Sequence, residues 1–94
     1  MFEIRFTEGG NAELVGRLDA SEVEKARKSL DGLSGSVVLD CSRLDYVSSA
    51  GIGLLMETHK RLHKDGQRLA LANLLPRVRN VFVYAGLDRV LTLE

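Results

Sequence analysis

The sequence predicts an α/β fold built on a mixed, mostly parallel β-sheet with crossover helices. Three observations lead to this prediction. The chain begins with alternating apolar and polar residues on either side of a Gly-Gly turn, which predicts an antiparallel hairpin. Strand-like runs then alternate with segments of helical periodicity, which predicts right-handed crossovers between parallel strands. No linker, repeat or low-complexity segment interrupts the 94 residues, so we expect one domain over residues 1–94 with the order ββαβαβαβ.

The first two strands are predicted from period-two alternation. Phe2, Ile4 and Phe6 point to one side, and the polar residues between them point to the other. Residues 8–11 (EGGN) are typical of a turn, because Gly-Gly supplies the positive φ angles that a tight hairpin needs. Residues 12–18 then form the second strand, antiparallel to the first.

The first helix is predicted to open at residues 19–21 (DAS). Ser21 and Glu24 have capping-box spacing, in which the hydroxyl and the carboxylate each accept a hydrogen bond from a free backbone N–H. Gly32 or Gly35 is expected to end the helix. The apolar residues that follow the cap recur at i, i+3, i+7 and i+10, as on one buried helix face: Val23, Ala26, Leu30 and Leu33.

The third strand is predicted over residues 36–40 (SVVLD). This short, continuously apolar run is typical of an inner strand that is covered on both faces. Residues 41–47 are predicted to be a connector that carries Leu44 and Val47 into the core.

The second helix is predicted over residues 49–65, with Gly66 as a C-cap. Glu57 and Arg61 stand four apart in the order that favours an ion pair on a helix surface. The side chains expected on the apolar face are Ile52, Leu55, His59 and Leu62, and those expected in solvent are Glu57, Lys60, Arg61 and Lys64.

Two strands and one helix complete the chain. Residues 68–73 alternate as a strand, Pro76 suits the first turn of the third helix, and residues 90–93 form the last strand. Gly86 is expected to end the third helix in a left-handed conformation. The predicted buried stripe of this helix contains Val78, Val81, Phe82 and Ala85.

Composition excludes several classes of protein. Thirteen basic residues balance thirteen acidic ones, so no net field attracts nucleic acid or an anionic membrane. The single cysteine, Cys41, excludes an internal disulfide and suits a reducing compartment. No apolar run is long enough to span a bilayer, and the N-terminus lacks the pattern of a signal peptide. We therefore expect a cytoplasmic protein that does not insert into membranes.

The start of the second helix is unusually poor in side chains. Ser48 and Ser49 precede Ala50, Gly51 and Gly53, although each glycine costs about 1 kcal/mol relative to alanine in a helix interior. Free N–H groups and the positive end of the helix dipole favour an anion at such a place. Serine is also an ordinary N-cap, and glycine can serve close packing on a sheet. Both interpretations are open on spacing alone, and no phosphate-binding glycine motif is present.

Residues 37–53 (VVLDCSRLDYVSSAGIG) resemble the signature of STAS domains, the anti-sigma-factor antagonists of bacteria. That signature is a strand ending in Asp-x-Ser, an apolar–x–x–apolar connector, and Asp-Ser-(Ser/Thr/Ala)-Gly-Leu-Gly at the start of a helix. Residues 15–19 (VGRLD) and the sequence Val81-Phe82 followed by residues 85–88 (AGLD) also resemble the family pattern. The resemblance covers essentially the whole chain and implies a STAS-like fold.

The resemblance implies a phosphorylation switch at Ser49. In the family, a partner that is both a serine kinase and an anti-sigma factor phosphorylates the serine at this position. The unphosphorylated antagonist binds that partner and frees sigma factor, and a serine phosphatase can restore it. Ser48 stands where the family has Asp, which makes Ser48 an alternative acceptor.

The resemblance also implies a partner-binding surface at the start of the second helix. Its expected residues are Asp19, Ser48, Ser49, Ala50, Gly51 and Gly53. Asp19 matches the acidic residue that the family has near its switch serine, although an acid favoured by a helix dipole explains it equally well. No cofactor, metal, nucleic acid or catalytic residue is expected. The added phosphate should stabilise the helix, so that the switch is not a refolding.

Other interpretations of the polar residues are weaker. His59 and His63 stand four apart, as in some zinc sites, but no third ligand is in register and lysine and arginine surround them. Cys41 is expected to be a small buried hydrophobe. A serine hydrolase would need a base near Ser49, whereas His59 lies about 15 Å farther along the helix axis. The main alternative is a constitutive STAS scaffold subunit in a signalling or lipid-transport complex, without a phosphorylation switch.

Overall fold

A computed structural model describes residues 1–94 as five strands and three helices. A 3-10 turn at Ala20–Glu22 precedes the first helix, and two others cover Glu8–Gly10 and Leu87–Arg89. The elements in chain order are β1 (Phe2–Phe6), β2 (Ala12–Leu18), α1 (Val23–Leu30), β3 (Val37–Val47), α2 (Ser49–Lys64), β4 (Leu69–Ala72), α3 (Pro76–Tyr84) and β5 (Thr92–Leu93).

The strands form one sheet in the order β1-β2-β3-β4-β5. The pair β1–β2 is antiparallel, and the other three pairs are parallel. Buried side chains from all three helices and from the sheet belong to a single core. The predicted element order and the predicted mixed, mostly parallel sheet are therefore confirmed.

The third strand is longer than predicted. Residues 41–47, which we expected to be a connector, continue β3 and pair with β2 as far as Leu18 and Val47. Buried positions change from every second residue to every third after Cys41, so that Leu44 and Val47 remain inside. Register shifts between β2 and β3 allow this change. The polar residues of this segment gave it the composition of a loop, and only its pairing with β2 identifies a strand.

The sheet is not covered on both faces, contrary to the prediction for β3. Val38 is 37% exposed. The same open surface carries charged side chains: Arg5 pairs with Glu3 at 2.9 Å, and Arg43 lies 3.7 Å from Glu13. An apolar run alone cannot distinguish a strand covered on two faces from one covered on one face, because both contain consecutive apolar residues.

The start of α1 differs from the prediction. Asp19, not Ser21, is the capping residue: its carboxylate accepts hydrogen bonds from the N–H of Ser21 at 3.1 Å and from the Ser21 hydroxyl at 2.6 Å. The Ser21 hydroxyl therefore makes no capping box with Glu24, and α1 begins at Val23 after the 3-10 turn. The helix ends at Leu30, before either of the predicted glycines.

The polar face of α2 is bound to α1. The predicted ion pair between Glu57 and Arg61 is wrong, because Glu57 pairs with Arg27 of α1. Arg61 instead donates hydrogen bonds to the carbonyls of Leu30 at 2.8 Å and Leu33 at 3.0 Å. Arg61 thus ties α2 to the last residue of α1 and to the segment that follows it.

The apolar face of α2 includes two side chains that we did not predict. Leu54 and Thr58 are buried together with Leu55 and Leu62, whereas Ile52 and His59 are half-buried. The Thr58 hydroxyl donates to the Leu54 carbonyl at 3.0 Å. This bond lets a polar side chain enter the core without an unmet donor.

The last third of the chain is less regular than predicted. In α3, Val78 and Phe82 are buried as expected, but Val81 is 41% exposed and Ala85 is also exposed. Gly86 has the predicted left-handed conformation, with φ at 75°. Strands β4 and β5 are each two residues shorter than the predicted ranges.

Candidate functional site

The start of α2 lies at the end of β3, beside the end of β2. The N–H of Ser48 donates to the carbonyl of Leu18 at 2.9 Å, and Val47 pairs with Leu18 across the sheet. These contacts place Asp19, which directly follows Leu18, next to the two serines. The structure therefore brings Asp19, the two serines, Ala50 and Gly53 to one edge of the fold, whereas Gly51, predicted for the same surface, is buried there.

Ser48 is the N-cap of α2. Its backbone is extended, with φ at −86° and ψ at 170°, and its hydroxyl oxygen accepts a hydrogen bond from the N–H of Gly51 at 3.1 Å. The Ser48 carbonyl accepts a hydrogen bond from the N–H of Ile52 at 2.9 Å, which is the first backbone hydrogen bond of the helix. Ser and Asp are about equally good N-caps. Ser48, which stands where the family has Asp, therefore lacks the negative charge of that residue but still caps the helix.

Ser49 is the first residue of α2 and is exposed. Its side chain makes no hydrogen bond within the protein, whereas the Ser48 hydroxyl is half-buried and engaged in capping. The first turn of α2 contains no acidic residue of its own. Of the two adjacent hydroxyls, the one at Ser49 is the more accessible to an incoming reactant.

The two glycines of this helix start are in different environments. A Cβ atom at Gly51 would lie 2.8 Å from the Leu18 carbonyl oxygen and 3.0 Å from a methyl group of Val47. Gly51 therefore allows the helix to approach the sheet closely. A Cβ atom at Gly53 would meet nothing within 4 Å. Packing within the chain gives no reason for a glycine at position 53.

Asp19 is half-buried and caps the turn that precedes α1. The hydrogen bond from the Ser21 side chain lowers the pKa of the Asp19 carboxyl group. Its capping bonds support the interpretation of Asp19 as a helix-start acid, and its position beside Ser48 keeps it on the predicted surface.

A groove of about 280 Å³ lies beside the two serines. The sequence did not reveal it, because Val81 was expected in the core and Tyr46 in a connector. The guanidinium of Arg17 stacks over the Tyr46 ring at 4.3 Å from the ring centre. The groove runs outward from Val47 between the end of β3 and α3, and its other main lining residues are Arg17, Asp45, Tyr46, Arg77, Val78 and Val81.

The other candidate groups are the two histidines of α2 and the cysteine of β3. The rings of His59 and His63 stack with centres 5.6 Å apart, and no group of three or more His, Cys, Asp or Glu side chains could hold a metal ion. Cys41 is fully buried, as predicted, and burial raises the pKa of its thiol to about 12. No helix is long and apolar enough to cross a membrane.

Comparisons of the sequence identify the family. A family model described as "Mlab, STAS domain" matches residues 5–93. BtrV of Bordetella bronchiseptica, whose name assigns it to the anti-sigma factor antagonists, is 38% identical over 76 residues, which are 81% of this chain. The match spans 60% of the length of that relative.

Comparisons of the structure find the same fold in anti-sigma factor antagonists. An antagonist of this kind from Thermotoga maritima is 18% identical, with a TM-score of 0.82 over 99% of this chain and 85% of the other. The anti-sigma factor antagonist SpoIIAA in its unphosphorylated form is 25% identical, with a TM-score of 0.78 over 100% and 88%. Phosphorylated SpoIIAA of Bacillus is 24% identical, with a TM-score of 0.71 over 100% of this chain and 91% of the other.

Proposed function

The chain belongs to the STAS family of anti-sigma-factor antagonists, and from this membership we propose that phosphorylation of Ser49 switches its binding to a partner. The partner is a protein that is both a serine kinase and an anti-sigma factor. The unphosphorylated protein binds this partner and releases sigma factor. The phosphorylated protein does not bind until a serine phosphatase removes the phosphate. In this proposal residues 1–94 are one STAS domain that acts in the cytoplasm and has no catalytic activity.

The observation that carries the proposal is the state of the two neighbouring hydroxyls. Ser49 is exposed and its side chain has no hydrogen bond, while Ser48 caps the helix. A kinase can take up the Ser49 side chain without breaking a bond of the fold. The Ser48 Oγ, by contrast, already accepts a hydrogen bond from the Gly51 N–H, so a kinase could take up that side chain only by breaking this bond.

The partner-binding surface in this proposal comprises Asp19, Ser48, Ser49, Ala50 and Gly53, whereas Gly51, which we also expected on it, is buried against the sheet and does not belong to it. The bare surface at Ala50 and Gly53 lets the backbone of another protein approach the first turns of α2 closely. Gly53 supports this role, because no contact within the chain excludes a side chain there. A glycine that lowers helix stability without a packing reason is consistent with a requirement at an interface.

The phosphate would act by charge and bulk at the interface and not by unfolding α2. A phosphoserine carries about −1.5 to −2 charges at neutral pH. At the first residue of a helix, this charge faces the positive end of the helix dipole and stabilises the helix by ~0.3–1 kcal/mol. We therefore expect the phosphoprotein to keep its far-ultraviolet circular dichroism spectrum and to melt no earlier. A large loss of helix signal would refute this part of the proposal.

The test of the proposed function is phosphorylation by the cognate kinase. The protein is incubated with the purified kinase and ATP, and the tryptic peptide of residues 44–60 is analysed by fragmentation mass spectrometry. We expect phosphate on Ser49 and none on Ser48 or Thr58, which lie in the same peptide. The variant S49A should bind the kinase permanently, and S49D should bind it weakly.

A constitutive STAS scaffold is the second candidate function, and one observation favours it. Ser48 replaces the acidic residue of the family motif, so a kinase that recognises this carboxylate would not find it. A scaffold needs no accessible acceptor and would bind its partner whatever the charge at position 49. Equal partner affinities of S49A and S49D would establish this function in place of the switch.

A further inference from the structure

The groove beside the helix start has an apolar floor and a rim that includes exposed apolar side chains. Val47 and Val78 are buried at its base, whereas Tyr46 and Val81 are 39% and 41% exposed. Aromatic side chains and arginine are enriched at protein interfaces, where they combine apolar area with hydrogen-bonding groups. The composition of the groove is therefore typical of a protein interface.

The two arginines of the rim differ in how their charge is compensated. Arg77 lies 3.6 Å from Asp45, and both side chains are more than half exposed. Such an exposed ion pair contributes little to stability, so either side chain can bind another partner at low cost. Arg17 has no ion pair and no side-chain hydrogen bond, and only the Tyr46 ring holds its guanidinium in place. Stacking on a ring leaves the N–H groups at the edge of the guanidinium free to bind a carboxylate in a bidentate manner.

The location of the groove joins it to the proposed phosphorylation site. Val47, at its inner end, directly precedes Ser48, and Arg17 is two residues from Asp19. A protein that covers the start of α2 would also reach the groove. The volume of about 280 Å³ is at the lower end of the range for small-molecule sites and is large enough for one or two side chains of a protein partner.

We propose that this groove binds an acidic and apolar segment of the partner protein, which inserts an apolar side chain between Tyr46 and Val81 and places a carboxylate on Arg17. The inference rests on the proposed function, because the partner is the kinase that acts on Ser49. The groove supplies affinity that does not depend on the state of Ser49. It therefore determines which kinase binds, while the phosphate determines when that kinase is released.

The first test needs no kinase. The ¹⁵N-labelled protein is titrated with a synthetic peptide of alternating leucine and glutamate, and with a control peptide that has lysine in place of glutamate. We expect millimolar binding of the acidic peptide alone, with amide shifts confined to the groove, and loss of these shifts in R17Q. Shifts elsewhere, no shifts, or equal shifts with both peptides would overturn the proposal. Equivalent shifts with ATP would assign the groove to a nucleotide instead.

The second test uses the kinase and the non-phosphorylatable S49A protein. We expect R17Q and V81E to weaken binding at least about tenfold, as loss of a charged hydrogen bond or of an apolar anchor does at interfaces. The matched control is R79Q, because Arg79 is an exposed arginine of α3, the helix that carries Val81, and does not line the groove. In the protein that retains Ser49, R17Q should raise the KM of the kinase for this protein as substrate and leave kcat unchanged.

The outcomes separate this inference from the proposed function. If Ser49 is phosphorylated and R17Q binds as tightly as R79Q, the groove proposal is wrong and the switch stands. If the acidic peptide binds in the groove and no kinase modifies Ser49, the switch is wrong and the groove remains a docking site for acidic segments.

Discussion

The two glycines at the start of α2 should respond to alanine in opposite ways. In G53A the new methyl group meets nothing within 4 Å, so only the backbone effect remains. Alanine is favoured over glycine in a helix by about 0.5–1 kcal/mol. We therefore expect G53A to raise the free energy of unfolding by that amount and to raise Tm by roughly 2–8 °C for a domain of this size.

In G51A the same methyl group would lie 2.8 Å from the carbonyl oxygen of Leu18 and 2.9 Å from the Leu18 side chain. The Leu18 carbonyl also accepts the hydrogen bond from Ser48, so a helix that moves outward to relieve the clash weakens that bond as well. Overpacking costs about 1–3 kcal/mol, which exceeds the propensity gain. We expect G51A to be less stable than the parent protein by about 1–2 kcal/mol.

The assay is urea unfolding of the parent and both variants, followed by circular dichroism, with Tm measured in parallel. Each variant is the control for the other, because both make the same chemical change in the same helix. Stabilisation of both variants to the same extent would refute the close approach at Gly51. If G53A is more stable and also binds the kinase more weakly, the glycine at 53 serves the interface.

Three further predictions concern the cap, the bond between α1 and α2, and the buried thiol. S48A should lose about 1 kcal/mol of stability, because it removes the cap. S48D should retain the cap and gain up to about 1 kcal/mol from the helix dipole. Equal urea midpoints for S48A, S48D and the parent protein would contradict the capping role. R61A should lose about 2 kcal/mol, because it removes two charged hydrogen bonds to carbonyls at the end of α1, whereas K60A on the exposed face should stay within about 0.5 kcal/mol of the parent. Burial raises the pKa of the Cys41 thiol from its ordinary value of 9.0 to about 12, so a thiol reagent at pH 8 should modify it only as fast as the protein opens. As pH rises, the thiol ionises in the unfolded protein before it ionises in the folded one. The free energy of unfolding should therefore fall between about pH 9 and 12, by up to ~1.4 kcal/mol per pH unit relative to C41S. Rapid modification of the thiol in the native protein would contradict its burial.

Elements defined by local patterns could be predicted from the sequence. The alternation of Phe2 and Ile4 predicted β1, and the apolar periodicity of the second helix predicted α2 to within one residue at its end. The family motif predicted the fold as well as the residues at the start of α2. Local rules suffice for these elements, because a hairpin turn and a helix cap are formed by residues within a few positions of one another.

Choices between competing local partners could not be predicted. The hydroxyl of Ser21 had the spacing of a capping box but donates to Asp19 instead. Arg61 had a suitable acid one turn away but binds carbonyls of α1. A long side chain can reach several partners, and only the positions of neighbouring elements decide which bond forms.

The sequence by itself determined the order of the elements, the STAS family and the place of the two serines at a helix start, because each of these is encoded in short runs of residues. The tertiary structure decided which serine caps and which is free, which face of the sheet stays open, and that Arg17, Tyr46 and Val81 form one groove. The groove joins residues from β2, β3 and α3. Their contacts arise from the register of parallel strands and the packing of a distant helix, which local periodicity does not specify.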